Sequence, residues 1–484
     1  MIIWRLNQIM ENKGGAFNKS EDIVCLVNNV GMRLEVWSHF PTGMAQLAAV
    51  LKEEGYKIRV LDLDVYPELE SEISNYKIIL FTLIAAPILS FTLKKIEEVK
   101  KQEDKIVIVG GPLVTAMPNE VLKETKADYF IYGDVEISLV ELLEYLEGKK
   151  FELEKIAGLG YRNKHEIKIN PPNMIKDLDI LPMPDLESFD TEKYIIHTKR
   201  DQLGGKRTIN WHSSRGCNFD CQFCAHLKNW RGYSPKRMVE DLKYLKESYG
   251  IDSVWFFDDN FMTSTKRVAE FCELVKPLNM TWGCEGRVTS INEDIIRKMK
   301  DAGCRAIRSG FESGSDRMLK VMRKVATVED AKKAVNVLTK LDMPVKGGFI
   351  FGSPTETLED AKMSLKLIKW IYKTNPRADI WTVYFSPRPD TPWYDLAVQK
   401  GMKEVKLHEW ADKYKHRQLY EFNMSELNEK QVKEIMRKVR IYRFLTISKQ
   451  KKYRNIPSAL IRYSLRNVNS FIKSFIKEKY VQYS

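Results

Sequence analysis

Three cysteines fall within eight residues of the sequence, at Cys217, Cys221 and Cys224. Thiolates are soft ligands that bind iron–sulfur clusters and zinc. Three cysteines can hold a [4Fe–4S] cluster and leave one iron open for a further molecule. A structural zinc site usually takes four protein ligands in two pairs, and no partner pair lies nearby. The spacing therefore favours an iron–sulfur cluster over zinc.

The remaining cysteines are scattered through the 484 residues, and we predict that they pack in the core: Cys25, Cys272, Cys284 and Cys304. Such a distribution is typical of a reducing compartment. The chain is 44% hydrophobic, which excludes global disorder. No signal-peptide pattern begins the sequence, and the apolar stretch from Ile78 to Phe91 is too short to span a bilayer. We therefore expect a cytoplasmic protein.

Strands and helices alternate in two blocks. Apolar runs at Ile23–Val27, Ile58–Leu63, Ile78–Leu83, Ile106–Val109 and Tyr129–Tyr132 predict a doubly wound parallel sheet. Six further runs from Thr208 to Phe385 predict a partial (β/α)6-type TIM barrel. We predict an α/β fold with an N-terminal domain at 1–165, a Pro-rich linker at 166–205, the barrel at 206–405 and a helical tail at 406–484.

The tail carries most of the net charge of +13. Residues 406–484 contain 19 Lys and Arg against 7 Asp and Glu. Apolar residues from Ile461 to Phe475 recur at helical spacing. Three interpretations stay open: a helix packed on the barrel, peripheral contact with an anionic membrane, or a groove for an acidic substrate. A nucleic-acid partner is disfavoured because the tail lacks aromatic RNA-reading modules.

The cysteine segment resembles the radical S-adenosylmethionine (SAM) superfamily, whose motif is C-x3-C-x2-C with an aromatic residue before the last cysteine. Phe223 occupies that position. The resemblance implies that the open iron of the cluster binds the amino and carboxylate groups of SAM. Reductive cleavage of SAM then gives a 5′-deoxyadenosyl radical that abstracts hydrogen from a substrate. An external electron donor of the flavodoxin or ferredoxin type is implied as well.

Later segments resemble the SAM-contacting motifs of that family in the expected order. The resemblance implies SAM contacts at Phe223, Asp259, Arg287, Glu312, Ser313 and Gly352. Each also has a purely structural alternative. Asp259 could cap a helix, Glu312 could pair with Arg308, and Gly352 could serve a turn.

The N-terminal block resembles the cobalamin-binding domain found in one branch of radical SAM enzymes. This implies that the carboxyl edge of the sheet holds cobalamin, with contacts at Thr42, Thr82, Gly110, Gly111 and Gly133. The D-x-H-x-x-G motif that supplies a histidine ligand in other cobalamin proteins is absent from the sequence. We therefore expect cobalamin without a histidine ligand, or a flavodoxin-like domain that has lost it.

Together these resemblances imply a cobalamin-dependent radical SAM enzyme that methylates an unactivated carbon of a small-molecule or lipid-like substrate. The alternative is a ring-forming or oxidising enzyme similar to the anaerobic magnesium-protoporphyrin ester cyclase. A methylthiotransferase would need three further cysteines in the N-terminal domain, which contains only Cys25.

Overall fold

The computed structural model describes residues 17–29, 39–84, 88–149, 152–163, 166–197, 203–225, 227–409 and 422–447. The chain divides into two compact units. The first comprises Met1–His197 with Met402–Leu419, and the second comprises Thr198–Gly401 with Tyr420–Ser484.

A seven-stranded sheet forms the first unit. Its strands are β1 (Ile23–Asn28), β2 (Lys57–Asp62), β3 (Ile78–Thr82), β4 (Ile106–Gly110), β5 (Tyr129–Ile131), β6 (Leu159–Asn163) and β7 (Glu166–Ile169). They are ordered β2-β1-β3-β4-β5-β6-β7. The first five run parallel, and β6 and β7 are antiparallel. The predicted doubly wound parallel sheet is confirmed, with an antiparallel hairpin added at one edge.

Helices alternate with these strands. They are α1 (Thr42–Glu53), α2 (Leu89–Val99), α3 (Pro112–Ala116), α4 (Pro118–Glu124), α5 (Glu136–Leu146) and α6 (Thr191–His197), with a 3-10 helix at Pro67–Asn75. The central strands are buried on both faces, which explains why they read as continuous apolar runs. Val405 and Leu407 from the returning segment join this core.

Part of the predicted linker is ordered structure. Strand β7 starts at Glu166, the residue where the linker is predicted to start, and helix α6 lies near the end of that segment. Pro171 lies between them and its carbonyl accepts a hydrogen bond from Gly158 N at 2.9 Å. The sequence pattern does not predict the β6–β7 hairpin, because β7 is only four residues long and half-exposed.

A six-stranded parallel sheet forms the second unit. Its strands are β8 (Thr208–Trp211), β11 (Ser253–Phe256), β12 (Thr281–Glu285), β13 (Cys304–Glu312), β14 (Val345–Phe351) and β15 (Asp379–Tyr384). They are ordered β15-β14-β13-β12-β11-β8. Two short strands, β9 (Ser214–Arg215) and β10 (Arg231–Gly232), pair beside them. All six predicted barrel strands are confirmed.

In the described part of the second unit, six helices lie between the barrel strands along the chain and two more follow the last strand. They are α7 (Pro235–Tyr249), α8 (Thr265–Val275), α9 (Glu293–Asp301), α10 (Asp316–Val321), α11 (Val328–Lys340), α12 (Leu358–Thr374), α13 (Pro392–Gln399) and α14 (Glu429–Ile447). Capping boxes begin α11 and α12, where Thr327 pairs with Asp330 and Thr357 with Asp360. Phe271 on α8 packs edge-to-face with Phe256 and Trp282, which also pack edge-to-face with each other.

The scattered cysteines are free and buried, as predicted for core residues. Cys272, Cys284 and Cys304 are all 0% exposed in the second unit. Burial raises the pKa of the Cys272 thiol to about 12. All three side chains are therefore core packing groups.

Only the beginning of the basic tail can be described. Helix α14 packs against α12 and β15, where Arg443 Nε donates to Asp379 Oδ1 at 2.8 Å. The predicted amphipathic stretch from Ile461 to Phe475 lies outside the described residues. Among the helices that are described, none combines the length and apolar character needed to cross a bilayer.

Candidate cofactor sites

The cysteine loop follows β9 at the carboxyl end of the first barrel strand, where ligands bind in parallel β/α barrels. Gly216 begins it with a φ of +76°, and a Cβ there would lie 2.8 Å from the carbonyl oxygen of Leu227. Cys217 N donates to that same carbonyl at 2.9 Å. Glycine is thus required for the loop to fold back on residues 227–229.

A second chain segment also holds the cysteine loop in place. Gln222 N donates to Met322 O at 3.1 Å, and Asp220 pairs with Arg323 at 3.0 Å. The Phe223 ring packs at 5.9 Å from Trp393. The aromatic residue of the motif therefore fixes the loop against α13.

The three thiols differ in exposure. Cys217 and Cys221 are buried, whereas Cys224 is exposed as a residue. Burial raises the pKa of the Cys217 thiol, and burial of the sulfur together with the Asp259 carboxylate raises the pKa of Cys224 to about 12. Iron binds the thiolate, so cluster assembly would release protons from these groups.

In the described part of the chain, no group of three or more His, Cys, Asp and Glu side chains is arranged to hold a single metal ion. A cubane has a different requirement, because each cysteine binds a different iron. The three thiols on one loop therefore fit a cluster as a donor set.

Arg287 supplies an independent test of that fit. Its Nη1 lies 3.7 Å from Cys221 Sγ, and its guanidinium carbon lies 3.6 Å from the centre of the Phe219 ring. The side chain is buried, yet Nε and Nη2 have no hydrogen-bond partner among the described residues. Buried unpaired donors are costly, so this position fits an anionic ligand beside the cysteine loop.

The segment after β11 brings further polar groups to the same edge. Asp258 is buried and accepts hydrogen bonds from Ser213 and Ser214, which fixes the start of the cysteine loop. Asp259 is exposed, and its charge contributes to the raised pKa of Cys217 and Cys224. Asn260 is 1% exposed, and neither amide atom has a partner in the described structure.

Glu312 pairs with Lys324, with Lys324 Nζ donating to Glu312 Oε1 at 2.7 Å. The alternative pairing of Glu312 with Arg308 is wrong, because Arg308 pairs with Glu285 at 2.8 Å. Glu312, Arg323 and Val325 all have positive φ values, of 61°, 49° and 51°. Such values are strained for residues other than glycine and cluster at functional sites. Sequence reasoning missed Lys324 because nothing in its local pattern marks it.

Ser313 joins two loops through its side chain. Its hydroxyl lies 3.2 Å from Ser364 Oγ on α12 and accepts a hydrogen bond from Ser315 N. Asp360 strengthens the same junction by accepting from Ser315 Oγ at 2.6 Å and pairing with Arg317. These hydrogen bonds hold the pKa of the Asp360 carboxyl well below its usual range, against the opposing effect of burial.

Gly352 directly follows β14 and has a φ of +81°, which supports the turn that was its structural alternative. The buried Glu356 carboxylate accepts hydrogen bonds from Gly352 N and Ser353 N. Its other oxygen has no partner within the described residues, and burial raises the pKa of this carboxyl to about 7. No local sequence pattern marks Glu356, since a glutamate before a helix is usually a solvated residue.

In the first unit, the predicted cobalamin contacts lie on the carboxyl edge of the sheet. Thr82 and Gly110 end adjacent strands and pair in register. A Cβ on Gly111 would lie 2.9 Å from Thr82 Cγ2. Gly133 follows β5, and Thr42 begins α1. Ligands of doubly wound sheets bind at this edge.

Helix α6 occupies another part of that edge. Tyr194 OH donates to Asp62 Oδ2 at 2.8 Å, and Asn28 Nδ2 donates to Asp62 Oδ1 at 2.8 Å. Burial raises the pKa of Asp62. The ends of β1 and β2 are thus occupied by side chains of the protein itself.

Comparison with known families identifies two domains in the chain. A sequence model of the radical SAM superfamily matches residues 211–368, and one of the B12-binding domain matches residues 37–143. The chain therefore contains a radical SAM domain together with a B12-binding domain. The cofactors of this radical SAM enzyme are therefore a [4Fe–4S] cluster, SAM and cobalamin.

Relatives of this radical SAM enzyme carry two kinds of description. A protein of Pyrococcus horikoshii described as an uncharacterized methyltransferase is 29% identical over 379 residues, which cover 75% of this chain and 79% of the relative. The anaerobic magnesium-protoporphyrin IX monomethyl ester cyclase of Cereibacter sphaeroides is 27% identical over 374 residues, covering 73% and 60%.

Solved structures share the fold. The cobalamin-dependent radical SAM enzyme OxsB superposes with a TM-score of 0.69 at 16% identity, covering 91% of this chain and 75% of that chain. The radical SAM methyltransferase TsrM of Kitasatospora setae gives 0.63 at 18%, covering 78% and 76%.

Proposed function

We propose that this cobalamin-dependent radical SAM enzyme transfers a methyl group from SAM to an unactivated carbon of a small-molecule or lipid-like substrate. The observation that carries the proposal is the pairing of the two cofactor domains in a chain 29% identical to a protein described as a methyltransferase. When bound, the cluster would supply the electron that cleaves SAM, and cobalamin would carry the methyl group.

The residues of the barrel would divide the work of binding. Cys217, Cys221 and Cys224 would hold the cluster. Arg287 would meet the SAM carboxylate, for which its unpaired buried N–H groups are suited. The other SAM contacts would come from Phe223, Asp259, Glu312, Ser313 and Gly352.

The first unit would bind cobalamin at the carboxyl edge of its sheet. The contacts would come from Thr42, Thr82, Gly110, Gly111 and Gly133.

Reduction of the cluster needs an electron from outside the chain, and we expect a donor of the flavodoxin or ferredoxin type. Peripheral membrane contact through residues 406–484 would be seen as sedimentation with anionic vesicles and not with neutral ones.

A second candidate is ring formation or oxidation, which the relatives described as cyclases favour. The two reactions differ in how they consume SAM. Methyl transfer uses two SAM per product and releases S-adenosylhomocysteine beside 5′-deoxyadenosine. Cyclisation adds no methyl group to the product.

The test uses the full chain, reconstituted anaerobically with iron, sulfide and cobalamin, reduced, and incubated with methyl-labelled SAM and a cell extract fractionated into polar and lipid pools. We expect a labelled product and equal amounts of the two SAM-derived products. A product without label would overturn methyl transfer. Cys224→Ala should lose iron and all SAM cleavage, whereas Cys272→Ala, in the core, should keep both.

A further inference from the structure

Arg308 lies within β13 at the centre of a group of aromatic side chains. Its guanidinium carbon is 4.7 Å from the centre of the Trp255 ring on β11 and 5.5 Å from that of Trp381 on β15. These strands lie two positions away from β13 on either side. One side chain reaches both only because the sheet is strongly curved, so the group lines the concave interior of the barrel. We call Arg308, Trp255, Phe257, Trp381 and Glu285 the Arg308 cage.

Two glycines make room for the indole rings of the cage. A Cβ on Gly283 would lie 2.5 Å from Trp255 Cζ3, and a Cβ on Gly348 would lie 2.7 Å from Trp381 Nε1. Both distances are shorter than real side chains tolerate. The rings therefore lie against bare backbone on neighbouring strands, and they restrict the plane of the guanidinium by cation–π contact.

One edge of the Arg308 guanidinium forms an ion pair within the protein. Arg308 Nη1 pairs with Glu285 Oε1 at 2.8 Å, and the same oxygen accepts from Trp255 Nε1 at 3.1 Å. The remaining N–H groups of Arg308 have no partner in the described part of the second unit. The side chain is 25% exposed, so its open edge is accessible from the barrel interior.

The cage lies close to the cysteine loop. Glu285 and Arg308 are in register on adjacent strands, and Arg287, which contacts Cys221, follows Glu285 by two residues. Two residues of extended chain span about 7 Å. A molecule held at Arg308 would therefore lie beside the proposed SAM site.

We propose that Arg308 binds an anionic group of the substrate, a carboxylate or a phosphate, while Trp381 and Phe257 contact an apolar or planar body attached to it. A guanidinium with restricted plane and one open edge suits bidentate binding of such oxyanions. This rests on the proposed function and narrows its substrate class to anionic molecules with an apolar skeleton. Glu285 would compete with the anion for the guanidinium.

The test measures binding without turnover. The reconstituted, oxidised full-length enzyme is titrated with 1-pyrenebutyrate, 1-pyrenebutyl phosphate and 1-pyrenebutyrate methyl ester, and energy transfer from tryptophan to pyrene is recorded. We expect at least one anionic probe to bind about tenfold or more tightly than the ester, in line with a charge-assisted hydrogen bond. The tighter of the two anions identifies the group.

Variants separate a binding role from a structural one. Arg308→Met should abolish the preference for the anion, and Arg308→Lys should reduce it. Glu285→Gln should bind the anionic probe several-fold more tightly because a competitor is lost, whereas a purely structural ion pair predicts no gain. Arg377→Met, at an exposed surface pair, is the control and should match the wild type. Circular dichroism verifies folding.

Two results would overturn the proposal: equal binding of ester and anions by the wild type, or an unchanged anion preference in both Arg308 variants. Because no methyl transfer is involved, either result leaves the reaction type open. If the enzyme forms a labelled product but shows no preference for anionic probes, the proposed methyl transfer stands and anion binding by Arg308 is rejected.

Discussion

Glu356 gives a prediction whose sign and size follow from its surroundings. Its carboxyl is fully buried and burial raises its pKa from 4.5 to about 7. Since one pKa unit corresponds to about 1.4 kcal/mol, ionisation of Glu356 in the folded protein costs about 3 kcal/mol. The folded protein avoids this cost while Glu356 is protonated. Because folding raises the pKa, the free energy of unfolding has its full value below about pH 4.5 and loses this amount as the pH rises through 7.

Glu356→Gln removes the ionisation and keeps an oxygen that can accept from Gly352 N and Ser353 N. The variant should match or fall slightly below the wild type in melting temperature at pH 5.5. At pH 8.5 its melting temperature should exceed that of the wild type. The difference in melting temperature between the two proteins should change by about 5 °C or more between pH 5.5 and pH 8.5. Glu359→Gln, a neighbouring exposed carboxylate, is the matched control and should show no such swing.

The assay is differential scanning fluorimetry of anaerobically purified protein at pH 5.5, 7.0 and 8.5. A difference between Glu356→Gln and wild type that stays constant with pH would refute the reasoning. That outcome would mean that the carboxyl does not change its protonation between these values.

Three further predictions concern the second unit. Arg287→Met should weaken SAM binding about tenfold or more, measured by equilibrium dialysis, while keeping iron content; unchanged affinity would contradict the assigned contact. Lys324→Met should lower the free energy of unfolding by about 3 kcal/mol, because it leaves Glu312 unpaired. Adding Glu312→Gln to that variant should recover much of the lost stability. Purely additive losses would show that the two residues are not coupled. Asp360→Asn should lower the free energy of unfolding by about 2 kcal/mol near neutral pH. The difference from the wild type should shrink in acid, because the lowered pKa of Asp360 stabilises the fold only above the usual pKa range of aspartate. A difference that does not change with pH would argue against this reasoning.

The cysteine motif and the strand pattern were readable from the sequence because both are local. Cys217, Cys221 and Cys224 lie on one short loop, so their spacing alone limits the ligand. Buried parallel strands consist mostly of apolar residues, as in Ile78–Thr82, and this made the order of elements predictable. The antiparallel β7 escaped because it is short and half-exposed.

The partners of the site residues could not be read in this way, because parallel strands join residues that are distant in sequence. Glu285 meets Arg308 across one strand pair, and Arg308 meets Trp381 across a curved sheet. Only register and curvature decide such contacts.

The type of chemistry thus follows from local features of the chain, namely three thiols on one loop and the alternation of strands and helices. Which charges are paired, which buried groups stay unpaired and which pKa values shift follow only from the folded structure. Those properties depend on desolvation and on distances between separate strands, which no local pattern encodes. Lys324, Glu356 and the open edge of Arg308 are visible only there.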